Sequence, residues 1–150
     1  MVKASSFFTE EQQATILASV REAEDATSGE IGVHIETSFK GDVLDRAAWV
    51  FGKLGMHKTA LRNGVLFYLA VVDRKFAIIG DAGINAKVPE DFWDSIKELL
   101  LKNFKEGNFT EGLSEGIILA GEQLKTHFPH QKNDVNELPD DISFDKPIGE

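Results

Sequence analysis

The 150-residue chain contains no cysteine. This absence excludes disulfide bonds, thiolate catalysis and metal centres ligated by cysteine, such as zinc ribbons and iron–sulfur clusters. Basic residues are also scarce, since 16 lysines and arginines face 25 acids and the formal net charge is −9. Such a balance argues against binding of nucleic acid or of anionic lipid, because both need clustered positive charge.

Long apolar runs are missing as well. None approaches the roughly 20 residues that a membrane-spanning helix needs, and Phe7 with Phe8 is too short for the core of a signal peptide. We therefore expect a cytoplasmic protein without a membrane span. What the chain does contain is 42% hydrophobic residues, among them eleven phenylalanines. That content suffices for the packed core of one domain.

Hydrophobic periodicity predicts alternating helices and strands. Thr9 to Gln12 forms a capping box that opens a helix, and residues 64–72 are almost continuously apolar, as in a strand buried on both faces. In chain order the predicted elements are a helix from Thr9, a strand over 30–38, a helix capped by Asp42, a strand over 64–72, a strand over 75–80, and helices that begin at Pro89 and Asn108.

These elements predict an α/β fold with a small mixed β-sheet. The first two strands and their helix form a βαβ unit with parallel strands, and the third strand returns antiparallel as a hairpin. About four helices should flank both sheet faces. Three strands is a low number, so we look for a further short strand in residues 56–62 or 82–88.

The same patterns divide the chain into three parts. Residues 1–8 are an N-terminal extension, and residues 9–130 are the domain. Residues 131–150 are acidic and poor in apolar side chains. We expect this tail to be disordered or loosely docked.

Chain direction determines which polar residues meet. The first two strands should begin, and the third should end, at one edge of the sheet. The residues expected at this first rim are Glu30, Arg62, Asn63, Asp81 and Gly83. The residues expected at the opposite edge, the second rim, are Thr37, Ser38, Asp42 and Asp73.

Five segments resemble the TPM-domain family, and together they cover roughly residues 9–128. They are Ser28-Gly29-Glu30-Ile31, Asn63-Gly64-Val65-Leu66, Asp73-Arg74-Lys75, Gly80-Asp81-Ala82-Gly83-Ile84, and Phe104-Lys105-Glu106-Gly107-Asn108-Phe109 with Gly112-Leu113. The resemblance implies a similar sheet-and-helix fold. It also implies a choice of functions, because the family includes a thylakoid-lumen protein with acid phosphatase activity, a photosystem-protection protein, a receptor-auxiliary protein and members that bind divalent cations.

The sequence departs from the family pattern at two positions of the first rim. Arg62 stands where an acidic residue commonly precedes Asn-Gly, and Asp81-Ala82-Gly83 stands where Gly-aromatic-Gly is common. The arginine would weaken a cation site, whereas Asp81 restores a carboxylate nearby.

Two interpretations of the first rim remain open. Glu30 and Asp81, with the amide oxygen of Asn63, could hold calcium or magnesium, and the cation could polarise a phosphate. In the simpler interpretation Asn63 and Gly83 form turns, and the acids are solvated or pair with Arg62.

The remaining candidates are weaker. The second rim lies at the carboxyl ends of parallel strands, where ligands bind in open α/β sheets, although its residues also suit turns and caps. A short basic loop, Met56 to Thr59 with Arg62, could bind an anion, dock the acidic tail or simply be solvated. His34 is expected to be packed rather than catalytic, and the sequence has no HExxH motif, GxSxG motif or phosphate-binding loop.

The leading functional hypothesis is therefore a non-enzymatic interaction or accessory domain, monomeric and with a protein partner still to be identified. One alternative is a divalent-cation-dependent phosphatase that uses the first rim. Another is a domain that binds a small ligand or calcium without catalysis.

Overall fold

The computed structural model describes residues 3–130 and 141–145. Within these ranges the chain forms six helices and four strands. In order they are α1 (Ala4–Phe7), α2 (Glu10–Ala26), β1 (Glu30–Glu36), α3 (Val43–Lys53), β2 (Gly64–Ala70), β3 (Lys75–Gly80), α4 (Ala82–Asn85), α5 (Asp94–Lys105), α6 (Phe109–Leu124) and β4 (Ile142–Phe144).

The four strands form one open mixed sheet in the order β3-β2-β1-β4. β1 and β2 are parallel, and their register begins at Glu30 opposite Gly64. β3 runs antiparallel to β2, with Gly80 opposite Val65. The prediction of a βαβ unit extended by an antiparallel hairpin is confirmed, and with it the direction of all three strands.

Helices cover both faces of the sheet, as predicted. The side chains of Val33 and Phe67 point toward α2, α5 and α6, while Leu66 and Tyr68 point toward α3. All seven residues of β2 are buried. A central strand covered on both faces has no solvent side, which explains why this segment is apolar throughout rather than alternating.

Two details of the predicted elements are wrong. The helix expected from Pro89 begins at Asp94, because residues 90–93 form turns in which the rings of Phe92 and Trp93 meet edge to face at 4.8 Å. No strand forms in 56–62 or 82–88; the first segment is turns and coil, and the second contains α4.

The fourth strand lies in the acidic tail. β4 pairs parallel with β1, so that Ile142 lies opposite Val33 and Phe144 opposite Ile35. The alternation of Ile142, Ser143 and Phe144 places the two apolar side chains on one face, where Ile142 is buried. Residues 141–145 are therefore docked, whereas 131–140 and 146–150 lie outside the described residues.

A membrane-spanning helix is not found in the described ranges, where no helix is both long and apolar enough to cross a bilayer.

Candidate functional site

The structure brings the first-rim residues together at the amino ends of β1 and β2. The backbone amide of Glu30 donates to the carbonyl of Asn63 at 3.3 Å. The amide of Asp81 donates to the carbonyl of Gly64 at 3.0 Å. The three polar positions therefore meet because β3 returns antiparallel to the edge at which β1 and β2 begin.

Asp81 forms a two-pronged ion pair with Arg62. Nε of Arg62 lies 2.8 Å from Oδ2 of Asp81, and Nη2 lies 2.8 Å from Oδ1. Oδ1 also accepts a hydrogen bond from the amide of Ala82 at 2.7 Å, which caps α4. Both carboxylate oxygens of Asp81 are thus engaged by groups of the chain itself.

Each member of this ion pair shifts the pKa of the other in the direction that favours its charged form. Burial raises the pKa of the Asp81 carboxyl, but the hydrogen bonds from Arg62 and Ala82 and the charge of Arg62 outweigh it, so the pKa lies below its ordinary value of 3.8. The hydrogen bond to Asp81 in turn raises the pKa of Arg62. The side chain of Asp81 is 5% exposed and that of Arg62 is 51% exposed, so the arginine shields a largely buried carboxylate.

Asn63 and Gly83 connect the strands of the rim. Asn63 is buried, its amide nitrogen Nδ2 donates to the carbonyl of Ser28 at 3.3 Å, and its backbone amide donates to the hydroxyl of Thr59 at 3.2 Å. The amide of Gly83 donates to the carbonyl of Arg62 at 2.9 Å. A Cβ atom at position 83 would lie 2.1 Å from the carbonyl oxygen of Leu61, so this approach of two backbones requires glycine.

One hydrogen-bond acceptor at the rim is buried without a partner among the described residues. Oδ1 of Asn63 is buried and has no hydrogen-bond partner among the described residues. Glu30 is buried beside it, at 4% exposure. In the described part of the chain, however, no three histidine, aspartate or glutamate side chains are grouped so that they could hold a metal ion. A cation at Glu30 and Asp81 stays a prediction.

The second-rim residues mainly stabilise loops. Oδ2 of Asp73 accepts from the amide of Phe39 at 2.7 Å, and Oδ1 lies 3.2 Å from Nζ of Lys40. The hydrogen bond from Phe39 lowers the pKa of Asp73, and Lys40 adds to this effect. Asp42 caps α3 by accepting from the amide of Leu44 at 2.8 Å. Ser38 is exposed.

Thr37 links this rim to β4. Its amide donates to Oδ1 of Asp145 at 2.6 Å and its hydroxyl donates to Oδ2 at 3.0 Å. The same hydroxyl accepts from the amide of Ala4 at 2.9 Å. Asp145 therefore joins β4 to Thr37 at the end of β1, and Thr37 in turn contacts α1. The composition of the tail did not reveal this role.

A buried polar network on the α3 side of the sheet was not predicted. Its centre is Glu36, which accepts from Arg46 Nε at 2.9 Å, from Arg46 Nη2 at 2.6 Å, and from the hydroxyl of Tyr68. Nε2 of His34 lies 3.4 Å from Oε2 of Glu36, and Nδ1 of His34 lies 2.9 Å from the hydroxyl of Ser143. Four elements, β1, β2, α3 and β4, contribute to it.

The network shifts the pKa values of Glu36 and Tyr68. Burial opposes ionisation of Glu36, but hydrogen bonds from His34, Arg46 and Tyr68 outweigh it and lower the pKa from 4.5 to about 2. Burial and the hydrogen bond to Glu36 raise the pKa of Tyr68. His34 is fully buried and stacks on Tyr68 with ring centres 5.9 Å apart, so it is packed, as expected from the sequence.

The outer side of α3 exposes an aromatic ring that two cations contact. Trp49 is 39% exposed, with Cζ of Arg46 at 4.5 Å and Nζ of Lys53 at 5.4 Å from the ring centre. Leu44 on the same helix is 54% exposed. We call Leu44, Arg46, Trp49 and Lys53 the α3 surface.

The basic loop that follows α3 buries two of its side chains against the domain. Met56 is 2% exposed and lies against Gly32, where an added Cβ would come within 2.8 Å of its terminal methyl. Thr59 is 5% exposed and accepts from the amide of Asn63. His57 and Lys58 are exposed, so only these two residues of the loop remain candidates for an anion.

Comparison with known structures gives the same fold. The BA42 protein from the psychrophilic bacterium Bizionia argentinensis, solved by NMR, is 48% identical; the match covers 96% of this chain and 99% of that one, with a TM-score of 0.90. The N-terminal domain of a P. gingivalis protein is 20% identical, with coverages of 86% and 85% and a TM-score of 0.67. The N-terminal domain of a Corynebacterium glutamicum protein is 13% identical, with coverages of 92% and 81% and a TM-score of 0.61.

The P. gingivalis and C. glutamicum domains are similar to this chain in fold alone. No curated protein matches the chain at a significant level. The sequence model of the TPM domain matches residues 1–123, which include every first-rim residue and the helices on both faces of the sheet. On this match the chain belongs to the TPM-domain family.

Proposed function

We propose that the chain is a non-enzymatic interaction domain that binds a partner protein through the α3 surface. The first argument comes from the rim. Asp81, one of the two carboxylates predicted to hold a cation, has both oxygens engaged by Arg62 and Ala82. A carboxylate held in this way stabilises a loop and is poorly placed to accept a proton or a metal ion.

The observation that carries the proposal is the position of Trp49. Its ring is 39% exposed on a helix whose opposite side is buried through Ala47, Val50 and Phe51. Tryptophan and arginine are enriched among residues that dominate binding energy at protein interfaces, because they combine apolar area with directional polar groups. A rigid helix also presents the ring without a large entropic cost on binding.

The charges on the α3 surface indicate the chemistry of the partner. Nζ of Lys53 lies over the Trp49 ring, and the guanidinium of Arg46 also lies over this ring while it pairs with Glu36. We propose that the partner contributes an apolar pocket for Trp49 and an acidic group that reaches Lys53. The unbound domain is proposed to be a cytoplasmic monomer.

The test compares wild type with Trp49→Ala and with Leu101→Ala, a matched control. Leu101 is 48% exposed on α5, which covers the other face of the sheet. Proteins cross-linked to the domain in cell extract are identified, and the purified candidate is then titrated by calorimetry. We expect saturable binding that Trp49→Ala weakens by about tenfold or more, as at an interface hot spot. Equal binding by wild type and Trp49→Ala would contradict the proposal.

A divalent-cation-dependent phosphatase is the second candidate. The observation in its favour is the buried Oδ1 of Asn63, which lies at the rim of Glu30 and Asp81 and has no partner among the described residues. The TPM resemblance adds acid phosphatase activity as an expectation. Release of phosphate from p-nitrophenyl phosphate in calcium or magnesium, lost in Asp81→Asn and retained in Trp49→Ala, would support this candidate over the first.

A further inference from the structure

The outer edge of β1 is covered by a short segment of the chain's own tail. β1 has seven residues, and all of them pair with β2 on the inner edge. On the outer edge β1 pairs with β4 over three residues, Val33, His34 and Ile35. Toward the start of β1 this edge meets α2, because the amide of Ile31 donates to Oε2 of Glu24 at 3.0 Å. β4 therefore marks a bounded strand site at the carboxyl end of β1.

Asp145 makes the contacts that have the most defined direction in this site. Its backbone amide donates to the carbonyl of Ile35 at 2.8 Å, and its carboxylate accepts from the amide and the hydroxyl of Thr37 at 2.6 and 3.0 Å. The hydroxyl of Thr37 also accepts from the amide of Ala4 at 2.9 Å, so its single proton is directed at the carboxylate. α1 thus orients Thr37 toward an acidic side chain.

The three residues of β4 alternate between the two faces of the sheet. Ile142 and Phe144 pack on the core that the sheet forms with α2, α5 and α6. Ser143 points to the other face, where its hydroxyl lies 2.9 Å from Nδ1 of the buried His34. Together with the aspartate that follows, the site accepts a parallel strand with the pattern apolar-Ser-apolar-Asp.

β4 buries little of its own surface. Of residues 142–145 only Ile142 is buried, whereas all seven residues of β2 are. A strand edge offers its backbone groups to any extended segment, and none of the contacts described above requires that segment to belong to the same chain. Because little apolar surface is exposed when β4 leaves, another strand of the same pattern can take its place.

We propose that the outer edge of β1 binds an extended segment of a partner protein with the pattern apolar-Ser-apolar-Asp, in place of β4. The partner strand runs parallel to β1, with its serine at His34 and its aspartate at Thr37, as in residues 142–145. Addition of a strand to a sheet edge is a common mode of peptide recognition, in which the backbone provides affinity and alternate side chains provide specificity. This site is distinct from the α3 surface.

The experiment adds a capped peptide with the sequence of residues 141–145 to the full chain and follows amide NMR shifts. We expect saturable shifts at Val33, Ile35 and Thr37. The Asp145→Ala chain should bind the peptide about tenfold or more tightly than wild type, because its own strand loses two hydrogen bonds to a charged group and a ligand binds better when more of the chain is in the competent state. Ser143→Ala in the chain should act in the same direction.

Two matched controls define the specificity. A peptide with alanine in place of its final aspartate should lose the gain. Glu98→Ala removes the same charge from the exposed side of α5 and should bind the peptide as wild type does. Equal affinity of the wild-type and Asp145→Ala chains, or shifts that never saturate, would overturn the proposal. A dimer of the Asp145→Ala chain in light scattering would also overturn it, since a second copy would then occupy the edge.

Discussion

At the scale of single residues, the charge of Asp81 depends on one neighbour. Arg62 donates two hydrogen bonds to its carboxylate and lowers its pKa. In Arg62→Ala both hydrogen bonds and the positive charge are lost, so we expect the pKa of Asp81 to rise. Arg62→Lys keeps the charge but cannot form the fork, and its effect should be intermediate. The carboxyl carbon shift of Asp81 as a function of pH measures both; an unchanged pKa in Arg62→Ala would contradict this account.

Gly83 provides a test of the close backbone approach at the rim. An alanine Cβ would meet the carbonyl oxygens of Leu61 and Arg62 at 2.1 and 2.6 Å. We expect Gly83→Ala to lower the free energy of unfolding by at least about 2 kcal/mol, because neither backbone can move independently of the sheet. The control is Gly52→Ala on α3, where an added Cβ meets nothing within 4 Å. It should gain about 0.5 kcal/mol, and urea unfolding measures both.

Glu36 should make the stability depend on acid pH. Its pKa is lowered from 4.5 to about 2 in the folded protein, so ionised Glu36 contributes stability that is present above the unfolded value. That contribution is lost as the pH falls from about 5 toward 2. Glu36→Gln should be less stable than wild type near neutrality, and the difference should narrow over this window. Urea midpoints across the pH range measure it; a constant difference would show that Glu36 is not the group responsible.

At the scale of elements, β4 depends on few contacts. It has three residues, and Asp145 at its end adopts a φ of +45° while it accepts two hydrogen bonds from Thr37. Alanine would lose both acceptors and disfavours this left-handed conformation, whereas asparagine tolerates it and keeps one acceptor. The amide of residue 145, which donates to Ile35, should exchange with solvent much faster in Asp145→Ala than in Asp145→Asn. Equal protection in all three proteins would contradict this role.

The elements also show which parts of the fold the sequence could predict. β1, β2 and β3 are close in sequence, and their apolar patterns are clear, so their order and direction followed from local patterns. β4 did not, because three alternating residues within an acidic segment resemble a tail, and their pairing with β1 is a contact across more than a hundred residues. α4 was missed because its four residues are too few to show a helical period of apolar side chains.

At the scale of the whole molecule, the same limit applies to the sites. The first rim was predicted because the polar residues end strands, and topology then brings them together. The network around Glu36 was hidden, because His34 and Ser143 lie 109 positions apart and meet only after β4 docks. Sequence patterns identified strand ends well and contacts between distant elements poorly.

The molecule thus separates its stabilising charges from its accessible ones. Asp81 and Glu36 are paired and largely buried, while Trp49 and Lys53 face solvent. This arrangement suits the proposed binding domain, because a rigid interior holds exposed anchors in place.

The central claim about the rim is that Asp81 stabilises the fold through Arg62 and does not bind a cation. Its most direct test is a titration with calcium and with magnesium, followed through the side-chain carboxyl resonances of Asp81 and Glu30. The account predicts that neither cation shifts the Asp81 resonance in the wild-type chain, because Arg62 occupies both of its oxygens. In Arg62→Asp, which supplies a further carboxylate in place of the guanidinium, the resonance should shift and saturate. A saturable shift of Asp81 in the wild-type chain would contradict the account.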